Sequence, residues 1–322
     1  MNAALYPAMW QIGAFRADVL AGLSLNRKTM PSRWLYDAHG CALFGRIARA
    51  EGYRPARAQA EVLRTRHQDI AAFLGANAVV VEYVAAGGDN ATTELLLEAS
   101  NAPAAYVPVD PAGVSPEASR SDLARRFPGL PVLPVDCDFT MEFDMPEDRL
   151  PGGRRTLFIP GAMIGRLDPQ QAVALLLRMH RRAGADGGLL VGFDLFSGRG
   201  NPIAEYDGLE SLTAAFALNL LARINRELEA DFPLERFVNE LRWNAEALAL
   251  EMYLVSLDRC SVTVSGRRFK FEADESVHLH SARKFTVEGI HELARRAGWR
   301  VTQAWSDPSQ SFAVVGLRAA NA

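Results

Sequence analysis

The stretch from Val79 to Asp110 contains acidic and glycine residues that could bind a nucleoside ligand. A β-branched apolar run carries Glu82, a small-residue turn contains Gly87 and Gly88, and a short helix leads to a second strand that ends in Asp110. A glycine turn lets a ligand approach the backbone, and a carboxylate at the end of the next strand can bind both hydroxyls of a ribose. The sequence therefore predicts a cofactor that contains a nucleoside.

The turn also indicates which nucleoside cofactor to expect. A dinucleotide site requires G-x-G-x-x-G, which the sequence AAGGDNAT does not supply. A shorter turn suits S-adenosylmethionine, which has no pyrophosphate, with Glu82 and the two glycines near the methionine part and Asp110 on the ribose. Asp138 and Phe139 would flank the adenine by hydrogen bonding and stacking. Taken alone, this pair fits equally well a helix cap and a core residue.

Alternating strands and helices would position these residues. Apolar runs predict strands at 130–136, 156–160 and 188–194, and helical periodicity covers 115–127 and 168–182. Such alternation predicts a parallel sheet whose ligand lies over the carboxyl ends of the strands. Asp110, Asp138, Gly161 and Asp194 all lie at or just beyond such ends.

The pattern changes after residue 195 and returns near the end of the chain. A helix at 209–228 and strands at 248–257, 261–264 and 269–271 precede a helix at 286–297 and closing strands at 300–305 and 312–317. A closing antiparallel hairpin is typical of methyltransferase sheets. The predicted fold class is α/β: a doubly wound, Rossmann-like class I methyltransferase sheet with an inserted α+β lobe. Residues 61–195 plus 286–322 would form the cofactor-binding domain, and 1–60 plus 196–285 the substrate-binding lobe.

The amino-acid composition argues against several classes of function. The 322 residues are 49% hydrophobic and 23% charged, and the net charge of -3 lacks the basic excess expected for nucleic-acid binding. No apolar run predicts a membrane span, and no signal-peptide pattern is present.

Three widely spaced cysteines, Cys41, Cys137 and Cys260, favour a reducing, cytoplasmic setting. His278 and His280 would share a strand face, but no acid or cysteine lies at ligand spacing, so no metal is predicted. The sequence leaves the oligomeric state open.

Seven segments of the chain together match the pattern of one known family. They are PSRWLYDAHGCALFGRIARAEGYRPARAQAEVL (31–63), YVPVD (106–110), PVDCDFT (134–140), FIPGAMIG (158–165), TAAFALNLLARINREL (213–228), LEMYLVS (250–256) and SARKFT (281–286). Through them nearly the whole chain resembles the S-adenosylmethionine-dependent, histidine-specific (histidine Nα-) methyltransferase family of ergothioneine biosynthesis. The resemblance implies methyl transfer to a small amino-acid-like molecule.

The resemblance also implies that aromatic residues near the N-terminus hold the substrate. Tyr36, Phe44 and Tyr53 match those positions by residue type. Tyr36 and Tyr53 are the predicted catalytic residues, since a phenol can exchange a proton, and aromatic faces favour sulfonium and methylated ammonium groups. Phe44 equally fits an apolar core stripe.

Several substrate positions depart from the family pattern. The segment GAMIGR begins with Gly161, a predicted substrate-binding residue, and ends with Arg166, which stands where the family has asparagine. A guanidinium only donates, so Arg166 can hold a carboxylate but cannot accept from an amine. His280 and Ala282 replace the Glu-x-Ser pair that the family uses to read imidazole, while Met252 is expected to line the pocket. These changes argue against histidine as the substrate.

The predicted function is therefore S-adenosylmethionine-dependent N-methylation of a small amino-acid-like substrate other than histidine. One alternative is a catalytically inactive cofactor-binding homologue that acts as a sensor or partner subunit. A nicotinamide oxidoreductase is a further alternative, which the missing dinucleotide pattern weakens.

Overall fold

The computed structural model describes residues 5–84, 91–110, 117–137, 144–196, 198 and 202–320. Within them the α-helices are Leu5–Leu23 (α1), Ala38–Arg49 (α2), Arg54–Thr65 (α3), His67–Leu74 (α4), Ala91–Ala99 (α5), Glu117–Arg126 (α6), Pro169–Ala183 (α7), Glu210–Glu227 (α8) and Val287–Arg296 (α9). Short 3-10 helices span Ser32–Leu35, Met163–Arg166, Pro202–Tyr206 and Leu234–Arg236. Among these described helices, none combines the length and the hydropathy of a membrane-spanning segment.

The described strands are Val79–Tyr83 (β1), Ala105–Asp110 (β2), Val135–Asp136 (β3), Arg155–Ile159 (β4), Gly188–Asp194 (β5), Phe237–Asn244 (β6), Ala249–Ser256 (β7), Cys260–Val264 (β8), Arg267–Phe271 (β9), Ser276–Arg283 (β10), Trp299–Ser306 (β11) and Phe312–Ala319 (β12). They form a seven-stranded, a three-stranded and a two-stranded sheet.

Contacts divide the chain into two compact units, each made of two separate stretches. The first unit comprises Met1–Ile47 and Asn201–Ala282, and the second comprises Ala48–Gly200 and Arg283–Ala322. Residues 48–60, which the sequence placed in the substrate-binding lobe, thus lie with the large sheet. The reason is that α3 packs Ala58, Val62 and Leu63 into the same core cluster as the strands. The division of cofactor and substrate binding between the units remains a prediction.

The second unit contains a doubly wound sheet in the order β11-β12-β5-β4-β1-β2-β3. β1 pairs in parallel with β2 and β4, and β4 pairs in parallel with β5, whereas β12 runs antiparallel to both β5 and β11. All residues of β1, β2 and β5 are buried, as expected for strands covered on both faces. The predicted fold class, including the antiparallel closing hairpin, is confirmed.

Helix termini in the second unit follow the signals in the sequence. Asp168 caps α7 by accepting from the backbone N–H groups of Gln170 and Gln171, and the Gln171 side chain completes the capping box. Thr286 caps α9 by accepting from the N–H of Gly289. The sequence predicted both helices, at 168–182 and 286–297.

The first unit combines α-helices with the three-stranded sheet β10-β7-β6 and the hairpin β8-β9. The strand β6 was not predicted, because polar residues (Asn239, Glu240, Arg242 and Asn244) make up half of its sequence FVNELRWN. Pairing with β7 explains its presence, since Arg242 lies opposite Glu251 and Glu240 lies opposite Tyr253. Long helix α8 contributes buried residues such as Phe216, Leu220 and Ile224 to this unit.

Candidate active site

Glu82 lies fully enclosed near the carboxyl end of β1. Its Oε2 accepts hydrogen bonds from the hydroxyls of Thr93 and Tyr106, each at 2.8 Å. Burial raises the pKa of Glu82 to about 6, although these two hydrogen bonds act in the opposite direction. Burial and the neighbouring Glu82 carboxylate raise the pKa of Tyr106 well above its ordinary value, so the phenol remains a donor. Glu82 thus links β1 to α5 and β2 through hydrogen bonds. Its contact with the cofactor remains a prediction.

Asp110 ends β2 and presents a carboxylate that is only 2% exposed. The strands β2 and β4 lie on opposite sides of β1, so the order of the parallel strands reverses there. In doubly wound sheets, ligands bind at this reversal, over the carboxyl ends of the strands. A carboxylate at the end of β2 has the chemistry to accept hydrogen bonds from the two hydroxyls of a ribose.

Gly161 provides an open approach at the end of β4. Its φ of +61° is a left-handed conformation that favours glycine, and no described atom lies within 4 Å of the position that a Cβ would take. A ligand can therefore approach the backbone here. An open glycine at the end of β4 and a buried carboxylate at the end of β2 fit a nucleoside-bearing cofactor such as S-adenosylmethionine. Four predicted cofactor residues, Gly87, Gly88, Asp138 and Phe139, lie outside the described residues, so their roles remain predictions.

Arg166 is the last residue of the 3-10 helix that follows Gly161, and it is partly exposed. The segment from Gly161 to Leu167 is held at both ends. At its start, the Gly161 N–H donates to Gln59 Oε1 at 2.5 Å; at its end, Arg283 Nη1 donates to the carbonyl of Leu167 at 3.0 Å. Two backbone contacts therefore fix the turn that carries the predicted substrate anchor Arg166.

Close packing further fixes this segment. A Cβ at Gly165 would lie 2.5 Å from the carbonyl oxygen of Arg283, so only glycine allows the approach. The next residue, Lys284, forms a nearly buried ion pair with Asp194 at the end of β5, with 2.8 Å between Nζ and Oδ1. The stretch from Arg283 to Lys284 thereby connects the 3-10 helix to β5.

Tyr36 and Phe44 lie together in an aromatic cluster of the first unit. The rings of Tyr36, Phe44 and Phe216 are 5.4 to 5.9 Å apart, in tilted or edge-to-face arrangements. Phe216, from α8, is buried, whereas Tyr36 and Phe44 keep partly exposed faces. These aromatic faces can contact an apolar or cationic group, which is the chemistry that the sequence predicted for Tyr36 and Phe44.

Asp37 fixes the backbone beside Tyr36. Its carboxylate accepts from the Gly40 N–H, from Asn219 Nδ2 at 2.7 Å and from the Arg226 guanidinium at 2.8 Å. Burial alone would raise the pKa of Asp37, but these hydrogen bonds outweigh it and lower the pKa below its ordinary value. Asp37 therefore stays ionised and connects the start of α2 to α8.

Met252, His280 and Ala282 lie on neighbouring strands of the first unit. Met252 is buried on β7, and His280 and Ala282 are partly exposed on β10. His278, two residues before His280, contacts the Tyr253 ring and forms hydrogen bonds with Ser281 and Thr29. Among the described residues, no group of three His, Cys, Asp or Glu side chains could hold a metal.

Tyr53, the second predicted catalytic residue, precedes α3 in the second unit. It occupies the N-cap position without a capping side-chain hydrogen bond, and its N–H donates to the carbonyl of Ala50 at 3.0 Å. Its ring is partly exposed. The catalytic roles of Tyr36 and Tyr53 remain predictions.

Three features of the site were not predicted: Gln59, Phe216, and the connection made by Arg283 and Lys284. The sequence does carry a signal for Gln59, because its polar amide lies within the apolar stripe of α3. The other buried residues of that helix are Pro55, Ala58, Val62 and Leu63. The others had no local signal, because their partners lie far away in the sequence.

Comparison with known proteins identifies the family. A family model described as histidine-specific methyltransferase, SAM-dependent, matches residues 15–319. The chain belongs to this family. It is 33% identical over 306 residues to the histidine N-alpha-methyltransferase of Mycolicibacterium smegmatis, covering 93% of both chains. It is 31% identical over 305 residues to the histidine N-alpha-methyltransferase of Mycobacterium tuberculosis, and the match covers 93% of both chains. It is 22% identical over 304 residues to the N-methyltransferase imqF of Aspergillus flavus, and this match covers 92% of this chain and 82% of the relative.

Membership of the histidine-specific methyltransferase family confirms three predictions. The protein is an enzyme, its cofactor is S-adenosylmethionine, and its reaction is methyl transfer in a family of N-methyltransferases. The nicotinamide oxidoreductase alternative is thereby excluded. The roles of individual side chains are not set by these comparisons.

Proposed function

We propose that the protein methylates the amine nitrogen of a small amino-acid-like carboxylic acid, and that histidine is not its preferred substrate. Arg166 carries this proposal. It ends a 3-10 helix whose flanking residues Gly161 and Leu167 are held by hydrogen bonds, after the strand β4 of a sheet type that binds ligands over its strand ends. A permanently charged guanidinium in such a rigid turn suits a carboxylate, with which it can form two parallel hydrogen bonds.

The remaining residues would bind and orient the reactants. Bound S-adenosylmethionine supplies an electrophilic methyl group. Asp110 would accept hydrogen bonds from the ribose hydroxyls, and the open backbone at Gly161 would allow close approach of the ligand. Positioning supplies most of the rate in such a transfer, since the nucleophile must be aligned with the methyl group.

The amine must also be neutral when it reacts. Tyr36, Tyr53 and His280 are the candidates for holding the proton that the amine loses. Phe44 and Met252 are proposed to contact the apolar part of the substrate. Each of these assignments rests on the family resemblance and on the chemistry of the residue type.

Side-chain chemistry argues against histidine. His280 and Ala282 cannot reproduce a carboxylate that accepts from a ring N–H, and a site without the matching polar partner discriminates by orders of magnitude. Two relatives nevertheless carry the name histidine N-alpha-methyltransferase, so histidine is the essential reference compound.

The experiment is methyl transfer from labelled S-adenosylmethionine to a panel of amino acids, their decarboxylated amines and histidine. We expect transfer to an amine-bearing carboxylic acid, weaker transfer to histidine, and none to the matching decarboxylated amine. If histidine is methylated as efficiently as the best panel member, the specificity proposal is wrong.

Arg166 is tested with the best substrate of that panel. Arg166→Asn should raise KM about 30-fold, since hydrogen bonds between charged groups contribute about 2 kcal/mol. Arg166→Lys is the matched control: it keeps the charge but loses the planar fork, so a smaller rise, roughly fivefold, is expected. An unchanged KM in Arg166→Asn would show that the carboxylate is held elsewhere.

The inactive homologue that the sequence left open gains no support. The family usually has a GSG-type turn where this chain has Gly87 and Gly88, and that alternative depended on this difference and on the changed substrate residues. The turn lies outside the described residues, and no described residue distinguishes an inactive protein from an active one.

A further inference from the structure

Gln59 is a buried amide that contacts both the first turn of α5 and the residue Gly161 beyond the end of β4. The side chain is 2% exposed and comes from α3. Its Oε1 accepts the N–H of Gly161 at 2.5 Å, and its Nε2 donates to Thr92 Oγ1 at 3.3 Å. Burying an amide is costly unless it is hydrogen-bonded, and here both ends of the amide are used.

The two partners of Gln59 belong to different parts of the site. Thr92 lies in the first turn of α5, and Gly87 and Gly88, which are predicted to bind the cofactor, precede this helix in the sequence. Gly161 begins the segment that ends in Arg166, the proposed anchor of the substrate. The amide thus spans the start of α5 and the end of β4.

Packing leaves this amide little freedom to move. A Cβ on Gly192 of β5 would lie 2.3 Å from the carbonyl oxygen of Gly161 and 2.9 Å from Gln59 Oε1, so the strand passes directly against both groups. The neighbouring Thr93 is also fixed, because its hydroxyl donates to Glu82. Successive threonines at the start of α5 therefore bind α3 and β1.

We propose that Gln59 is a positioning residue for methyl transfer, which sets the α5 side of the cofactor site relative to the Gly161–Arg166 segment. An amide donates and accepts at the same time, whereas an apolar side chain does neither and an ionised carboxylate only accepts. The proposal rests on the proposed function for the role of Arg166. The part of the proposal that concerns cofactor binding depends only on the family assignment.

Cofactor binding is tested by measuring the affinity for S-adenosylhomocysteine by calorimetry, with no substrate present. Gln59→Met keeps the side-chain length and removes both hydrogen bonds, and Thr92→Val removes only the bond to α5. We expect each variant to weaken binding roughly tenfold, the effect of leaving one buried polar group unpaired. Thr92→Ser restores the hydroxyl and should bind within about twofold of the unsubstituted protein.

Amide exchange in the cofactor-free protein separates the two bonds. Gln59→Met should accelerate exchange at the Gly161 N–H, and Thr92→Val should leave it protected. Thr65→Ala is the control for an exposed hydroxyl on the same helix, since Thr65 bonds only to backbone carbonyls of α3. It should change neither exchange at Gly161 nor cofactor binding.

The kinetic arm uses the panel substrate. Gln59→Met should raise its KM, whereas Thr92→Val should raise only the concentration of S-adenosylmethionine needed for half-maximal rate. The proposal is overturned if both variants bind S-adenosylhomocysteine normally and lose activity only in proportion to a reduced folded fraction. Should Gln59→Met fail to fold, normal binding by Thr92→Val alone would also overturn it. If no panel compound is methylated, the proposed function fails while the binding and exchange results still decide the role of Gln59.

Discussion

The buried carboxylate of Glu82 makes stability depend on pH. Burial raises its pKa to about 6 in the folded protein, from an ordinary value of 4.5. A raised pKa in the folded state favours the protonated form, so this contribution is complete below pH 4.5 and is lost as the pH rises through 6. The cost of ionising the folded protein is about 2 kcal/mol.

Glu82→Gln tests this pH dependence. Glutamine can still accept from Thr93 and Tyr106 and carries no charge, so we expect it to gain about 2 kcal/mol over the unsubstituted protein between pH 4 and pH 7.5. Denaturant unfolding at several pH values measures the difference. Glu292→Gln is the control, because Glu292 is an exposed partner of Arg295 with a lowered pKa, and it should show no such gain. A stability difference that is constant with pH would contradict the assignment.

At the residue scale, the sequence was informative where chemistry is local. Asp110 and Gly161 were predicted at strand ends because each directly follows an apolar run, and the structure places both there. The partners of Glu82 could not be predicted, since Thr93 and Tyr106 meet it only after the chain folds. The partners of Gln59 could not be predicted for the same reason, since they lie 33 and 102 positions away.

At the scale of elements, α7 depends on its capping box. Asp168 directly follows the Gly161–Leu167 segment, and its carboxylate satisfies two backbone N–H groups of the helix. Asp168→Ala should lower the free energy of unfolding by about 1 kcal/mol, measured by urea denaturation. Asp168→Asn keeps a capping oxygen and should lose much less. Equal losses in the two variants would show that the cap is not the source of the effect.

Most described elements of the large sheet were predictable, because buried parallel strands read as unbroken apolar runs. Strand β5 and helices α7 and α9 match the predicted positions within about a residue at each end. Strand β3 is shorter than the predicted 130–136, since Val135 and Asp136 form the ladder with β2 and Val132 forms a separate bridge with Tyr106. Strand β6 was missed because tertiary pairing, not its polar sequence, makes it a strand.

At the scale of the whole molecule, β12 closes the large sheet from the end of the chain. It lies between β5 and β11, and residues 312–317 are buried. Deleting residues 312–322 should abolish cooperative thermal unfolding, because two strands lose their partner and the core loses Phe312, Val314 and Val315. Deleting only residues 321–322 is the matched control and should unfold normally. A cooperative transition in the longer deletion would contradict this dependence.

The interior position of β12 has a consequence for biosynthesis. The ribosome releases β12 after the other described strands of the large sheet, so the nascent chain passes through a stage in which the edge of β5 is bare and apolar surface is uncovered. Translation pauses before β12 emerges should therefore prolong exposure to aggregation, and chaperones that shield strand edges should improve the yield of active enzyme.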